Sequence, residues 1–279
     1  MNKYTSGPLT ICDDFINQAV KCWHWLYLSI CTGINLSEES ITDFNLLEIQ
    51  SKHPSEIRTQ KFSRQRENLV GADWEWWFGA SGYWLGLRIQ AKKLEPKSLT
   101  YPELDTVDKH GNKQIDILIK EAFAYQPKCM PIYVFYNYWG TDIFDPPWQC
   151  GSYTKCYEML GCSISHAERI RQVLYTGTKS LRDISGYMYP WSCLICCNGF
   201  SKSEILPIRA YDFISGAFNL LQSEESSRAD FVTTRAPNYV YSIAEGLSIT
   251  EEQWHDIPVN LVSVIYERAP VIASYNIPI

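Results

Sequence analysis

Gly71-Ala-Asp-Trp-Glu-Trp-Trp-Phe78, Gly79-Ala-Ser-Gly82 and Tyr83-Trp-Leu-Gly-Leu-Arg-Ile-Gln-Ala-Lys92 follow one another without a break. The first and third segments are rich in aromatic and branched residues, which suit strands, and the glycine-bounded middle suits a hairpin turn. Side chains alternate along a strand, so Leu85, Leu87, Ile89 and Ala91 share one face while Arg88, Gln90 and Lys92 share the other. One face belongs to the core; the other is expected to be wet or functional. Asp73 opens the first strand and Gln90-Ala-Lys92 closes the second, so a hairpin brings a carboxylate, an amide and an ammonium to one end of a sheet. Glu75 has the same parity as Asp73.

Outward from this hairpin the elements alternate. Residues 13–31 carry Phe15, Val20, Trp23, Leu26, Tyr27 and Ile30 near helical spacing. Ser37-Glu-Glu39 offers a capping hydroxyl and two first-turn carboxylates, predicting a second helix that ends before Pro54, with Ile41, Phe44 and Leu47 as its buried side. Residues 57–62 alternate as a strand, and a polar loop, Ser63-Arg-Gln-Arg-Glu-Asn68, leads into the hairpin. After a loop over 95–112, residues 113–124 have helical spacing and 131–136 form a compact apolar strand. The order predicts an α/β fold. Beyond Asn137, Gly, Pro and Cys become frequent; 165–175 and 208–222 suggest helices and 259–267 a strand. The expected organisation is an N-terminal helical segment, 1–35, a core over 36–139, and a Cys-rich C-terminal elaboration, 140–279, either a second lobe or a layer packed on the core.

Composition supports a folded chain. Of 279 residues, 46% are hydrophobic and only 20% charged, which excludes disorder and low complexity. The net charge of −6 argues against coating nucleic acid through bulk charge, yet residues 52–97 hold nine Lys or Arg against five acids. That local excess of +4 is what phosphate contact needs, although a solvated face has the same appearance. The N-terminal residues have no secretory pattern and no segment is apolar enough for a bilayer, so a cytoplasmic protein with no membrane partner is expected. Its ten cysteines are then expected to be reduced, buried thiols. Cys193, Cys196 and Cys197 form a C-x-x-C group without a second pair, so structural Zn²⁺ is disfavoured. Trp74, Trp76, Trp77 and Trp84 could stack bases, but their strand context favours core packing.

The ordered set of a helix carboxylate, Gly71-Ala-Asp73, a hairpin, Gln90-Ala91-Lys92, a helix and a strand resembles the PD-(D/E)XK superfamily of restriction-endonuclease-like nucleases. Here Gln90 stands where most members carry an acidic residue. The resemblance covers about residues 36–137 and implies an αβββαβ core of restriction-endonuclease type. It implies a metal-dependent endonuclease acting on DNA, with Mg²⁺ or Mn²⁺ held by Asp73, Gln90, the Ala91 carbonyl and a helix carboxylate. Glu39 is the first choice for that carboxylate and Glu38 the second; Glu67 and Glu75 are further candidates. Lys92 would position the attacking water, and Gln114 matches a glutamine that several members place near the site. Arg64, Arg66 and Lys93 are candidate phosphate contacts. Relatives are found in bacterial defence and on mobile elements, and many cut as homodimers. The alternative is a nuclease fold that lost catalysis and serves as a binding or regulatory module, with residues 140–279 recognising a partner protein, nucleic acid or a small signal.

Overall fold

A computed structural model describes residues 10–62, 70–140, 148, 156–220 and 227–267. The hairpin forms where the sequence predicts it, but with a tighter turn, since Gly79 and Ala80 pair within the first strand, and that strand begins at Trp74, one residue after Asp73. Strand β2 (Trp74–Ala80) pairs antiparallel with β3 (Tyr83–Lys93), and Ser81 and Gly82 turn between them with φ of 50° and 79°. Around it stand β1 (Ile57–Lys61), β4 (Cys129–Tyr136), β5 (Cys162–His166), β6 (Tyr189–Pro190), β7 (Val232–Thr233) and β8 (Leu261–Glu267). They form one eight-stranded mixed sheet in the order β1-β8-β2-β3-β4-β5-β6, while β7 continues the β3 edge at Trp84 and Leu85, just before β4 begins to pair at Gly86. The C-terminal strand is therefore an interior strand: β8 lies parallel to β2 and antiparallel to β1, and it separates these two strands.

The helices are α1 (Ile11–Thr32), α2 (Glu38–Lys52), α3 (Gln114–Ala124), α4 (Ala167–Tyr175), α5 (Leu181–Ser185), α6 (Cys193–Cys196), α7 (Leu206–Ala217), α8 (Arg228–Phe231), α9 (Asn238–Glu245) and α10 (Glu251–Asp256). One apolar cluster joins Trp74, Trp76, Phe78, Leu87 and Ile89 to Phe15 of α1 and Phe213 of α7. The other joins Trp77, Tyr133 and Phe135 to Leu118 of α3, Ile170 of α4 and Val240 of α9. Both faces of the central strands are thus covered, the arrangement that interior strands of an α/β sheet require. The four tryptophans of the hairpin are at most 4% exposed and belong to this core.

Three expectations need correction. The second face of β3 is not wet: Arg88, Gln90 and Lys92 are all buried, because α3 and the segment around α9 cover that side. Along α2 the buried positions are Ile41, Thr42, Asn45, Leu46 and Ile49, whereas Phe44 and Leu47 are 55% and 65% exposed. A strict three-residue spacing drifts around a 3.6-residue helix, and the four-residue steps set the inner face. Finally, Cys12 and Cys196 are not reduced thiols. Packing of α1 against α6 brings their Cα atoms to 5.7 Å and the two form a disulfide. Among the described residues no helix is long and apolar enough to cross a membrane.

Candidate active site

Local backbone chemistry fixes where Asp73 sits. Gly71 has φ of +66°, and a Cβ there would lie 2.7 Å from the Leu118 nitrogen and 2.8 Å from the Gln114 carbonyl oxygen. Only glycine permits this approach to α3, which presses the start of β2 against the start of that helix. The Asp73 N–H then donates to the Ile89 carbonyl at 2.7 Å, registering Asp73 beside Gln90. Its carboxylate Oδ2 accepts from Gln90 Nε2 and from the Ala91 N–H, both at 2.7 Å.

Helix α2 supplies the second carboxylate. Ser37 caps it by accepting the Ser40 N–H, and Thr42 Oγ1 meets the Tyr136 hydroxyl at 2.7 Å, docking the helix on β4. Glu38 Oε1 accepts the Lys93 N–H at 2.6 Å. Glu39, the first choice from sequence, lines the same cleft without that tie to β3, so Glu38 is the helix carboxylate anchored to the strand end. The cleft has a volume of about 380 Å³ and is lined by Glu38, Glu39, Asp43, Lys61, Asp73 and Ala91, with Pro258–Leu261 as its far wall. Asp43 and Lys61 form an ion pair across it at 2.6 Å. That far wall, from the approach to β8, lay outside the sequence reading, since nothing local in 258–261 announces a partner nearly two hundred residues earlier.

Gln90 and Lys92 are only 2% and 4% exposed, so they stand behind Asp73. Lys92 Nζ reaches Gln114 Oε1 at 3.4 Å, which brings the sequence candidate Gln114 into the group. Asp73 is open to solvent on the cleft side yet enclosed elsewhere by dense protein. Burial pushes its pKa up, the Ala91 N–H, Lys92 and Gln90 oppose that, and Glu39 adds to it. Burial likewise raises Glu38, against Lys92 and the Lys93 N–H, with Asp73 and Glu103 adding repulsion. Like charges converge here with incomplete compensation, the condition under which perturbed carboxylates mark candidate sites.

Other sequence candidates fall elsewhere. Glu75 shares the face of Asp73 but lies outside the cleft: it is fully buried, pairs with Arg88 at 3.1 Å, and accepts from Trp77 Nε1 at 2.9 Å and the Tyr239 hydroxyl at 2.6 Å. The Lys93 ammonium is engaged inside the chain, donating to Asn35 Oδ1 and the Leu36 carbonyl. Arg64, Arg66 and Glu67 lie outside the described residues. Of the C-x-x-C group, Cys196 is taken by the disulfide. Among the described residues no group of three or more His, Cys, Asp or Glu is placed to hold a metal ion. The donor set at Asp73 falls short of that number, with Asp73, one helix carboxylate and the neutral Gln90 amide. Gln90 Oε1 is buried there with no hydrogen-bond partner among the described residues. An unfilled oxygen beside carboxylates of raised pKa suits a hard divalent cation, which would offset their charge and take the free lone pairs.

A family model described as a family of unknown function (DUF6615) matches residues 11–272. No curated protein matches the chain.

Proposed function

The chain belongs to the family DUF6615, and from its site we propose that it is a metal-dependent deoxyribonuclease hydrolysing phosphodiester bonds on a restriction-endonuclease-like core. The observation that carries this reading is the convergence of Asp73, Gln90, Lys92 and Glu38 at one sheet end, beside an open cleft. These residue types sit in the order that the PD-(D/E)XK resemblance requires.

Asp73, Glu38 or Glu39, and the Gln90 carbonyl oxygen would hold Mg²⁺ or Mn²⁺. When bound, the ion supplies charge stabilisation at the phosphate and lowers the pKa of a coordinated water. The protein does the rest. Lys92, held by Gln114 on one side of Asp73, offsets phosphate charge and orients the attacking water. Water oxygen bonds to phosphorus and gives up a proton, the bond from phosphorus to one ester oxygen breaks, and the departing oxygen takes up a proton, so that one water is added across the bond. Much of the basic excess over 52–97 is spent inside the chain, Lys52 on Asp14, Lys61 on Asp43, Arg88 on Glu75 and Lys93 on Asn35 and Leu36, so at the site itself Lys92 would be the cation that meets the polyanion.

One observation favours the second reading, a nuclease fold serving as a binding module: Asp73 Oδ2 already has two donors, and Gln90 and Lys92 are buried. Cleavage of supercoiled DNA in Mg²⁺ or Mn²⁺ by wild type, Asp73→Ala and Lys92→Ala separates the two. Loss of at least about 100-fold in both variants is expected. Equal cleavage by all three proteins contradicts the nuclease reading.

A further inference from the structure

Four polar side chains form a row on the α3 face of the sheet, from Asp73 at the entry to β2 across β3, β4 and β5. Asp73 is registered beside Gln90, Gln90 is opposite Tyr133 of β4, and Tyr133 is opposite Ser165 of β5. Paired residues of neighbouring strands project to the same side, so the row is continuous. Tyr133 is 0% exposed and its hydroxyl has no hydrogen-bond partner among the described residues. The same holds for Gln90 Oε1 and Ser165 Oγ. Buried polar atoms without partners are uncommon, and several in one row beside a cleft call for an explanation.

The Gln90 amide suggests one. Its Nε2 now faces Asp73 Oδ2, which leaves Oε1 unfilled. To serve as a ligand to a cation held by Asp73, the Gln90 amide would have to turn about its last torsion so that its oxygen rather than its hydrogens faced Asp73. After that turn its hydrogens need an acceptor on the β4 side. The Tyr133 oxygen is the neighbour in the row with an open lone pair, and a phenol oxygen can accept as well as donate. Burial, with Asp73 and Asp116 nearby, raises the Tyr133 pKa and keeps the phenol neutral and protonated.

We propose that Tyr133 is a positioning residue of this site, whose hydroxyl receives the Gln90 amide hydrogens and so holds the Gln90 carbonyl toward a divalent cation on Asp73. This rests on the metal-dependent reading above. Tyr133 would act through Gln90 and touch neither substrate nor ion.

The test is Mn²⁺ binding to the full chain, read from free Mn²⁺ by electron paramagnetic resonance, for wild type, Asp73→Asn, Tyr133→Phe, Gln90→Glu and the double variant Gln90→Glu/Tyr133→Phe. Thermal melts establish that each is folded. Asp73→Asn is expected to abolish binding and Tyr133→Phe to weaken it about tenfold, the effect of one lost hydrogen bond. A carboxylate at position 90 has no hydrogens to place, so Tyr133→Phe should change binding less than about twofold in the Gln90→Glu background. Wild-type binding by Tyr133→Phe, or the same loss in both backgrounds, overturns this inference and leaves the metal-dependent reading standing. Wild type binding no better than Asp73→Asn overturns both.

Discussion

Asp73, the residue just before β2, and Glu75, the second residue of β2, stand two residues apart, yet their surroundings have opposite character. Glu75 is closed: its oxygens are taken by Arg88, Trp77 and Tyr239, the Arg88 guanidinium lies 4.4 Å over the Tyr125 ring, and its Nη1 donates to the Glu121 carbonyl at 2.7 Å. Burial opposes the Arg88 charge, but Glu75, together with Cys129 and Tyr239, outweighs it and the Arg88 pKa rises. Asp73 is open: both hydrogen bonds of its carboxylate among the described residues fall on Oδ2, a cleft lies in front of it, and its pKa is raised. A carboxylate with a donor on each oxygen and a buried cation beside it holds a fold together; one with an oxygen left open toward a cleft is available for chemistry. Sequence parity alone placed both in the same candidate group.

The largest expected effect breaks the closed site. Glu75→Ala leaves the Arg88 charge buried without its carboxylate and is expected to cost about 3–5 kcal/mol in chemical denaturation. If it costs less than about 1 kcal/mol, the closed pair is not the structural element described here. Next, Gly71→Ala forces a Cβ into the α3 backbone at positive φ, and a loss on the order of 2 kcal/mol is expected. It should also weaken Mn²⁺ binding, because the same contact sets the position of Asp73.

A smaller effect has the opposite sign. Folding raises the Asp73 pKa, so the folded protein holds that proton more tightly than the unfolded chain does, and ionisation costs stability. The stabilising contribution of the protonated form is complete below the ordinary carboxylate range, near about 4, and is lost as pH rises through the folded pKa. Asp73→Asn is therefore expected to raise the melting temperature at neutral pH in chelator and to leave it unchanged near about pH 3. A lower melting temperature at neutral pH would place Asp73 with Glu75 as a structural carboxylate.

The contrast also shows what was legible in the sequence. Hairpin, alternation and parity brought Asp73, Gln90 and Lys92 together because those rules act over a few residues. The choice between Glu38 and Glu39 was not legible: adjacent helix residues point about 100° apart, and only the docking of Thr42 on Tyr136 fixes which one meets β3. Burial of the second face of β3 was hidden because its cover comes from α3 and from α9, the latter some 150 residues away. The insertion of β8 between β1 and β2 was hidden for the same reason, as was the Cys12–Cys196 pair, separated by 184 residues. Tyr133 was legible only as part of the compact apolar strand over 131–136, and its register against Gln90 needed the assembled sheet.

The central claim, that Asp73 serves catalysis and Glu75 serves the fold, is met most directly by one comparison of supercoiled-DNA cleavage in Mn²⁺, normalised to folded protein, for wild type, Asp73→Ala and Glu75→Gln. Wild type and Glu75→Gln are expected to cleave at similar rates per folded molecule, with Asp73→Ala folded and inactive. Cleavage by Asp73→Ala at the wild-type rate would contradict the claim.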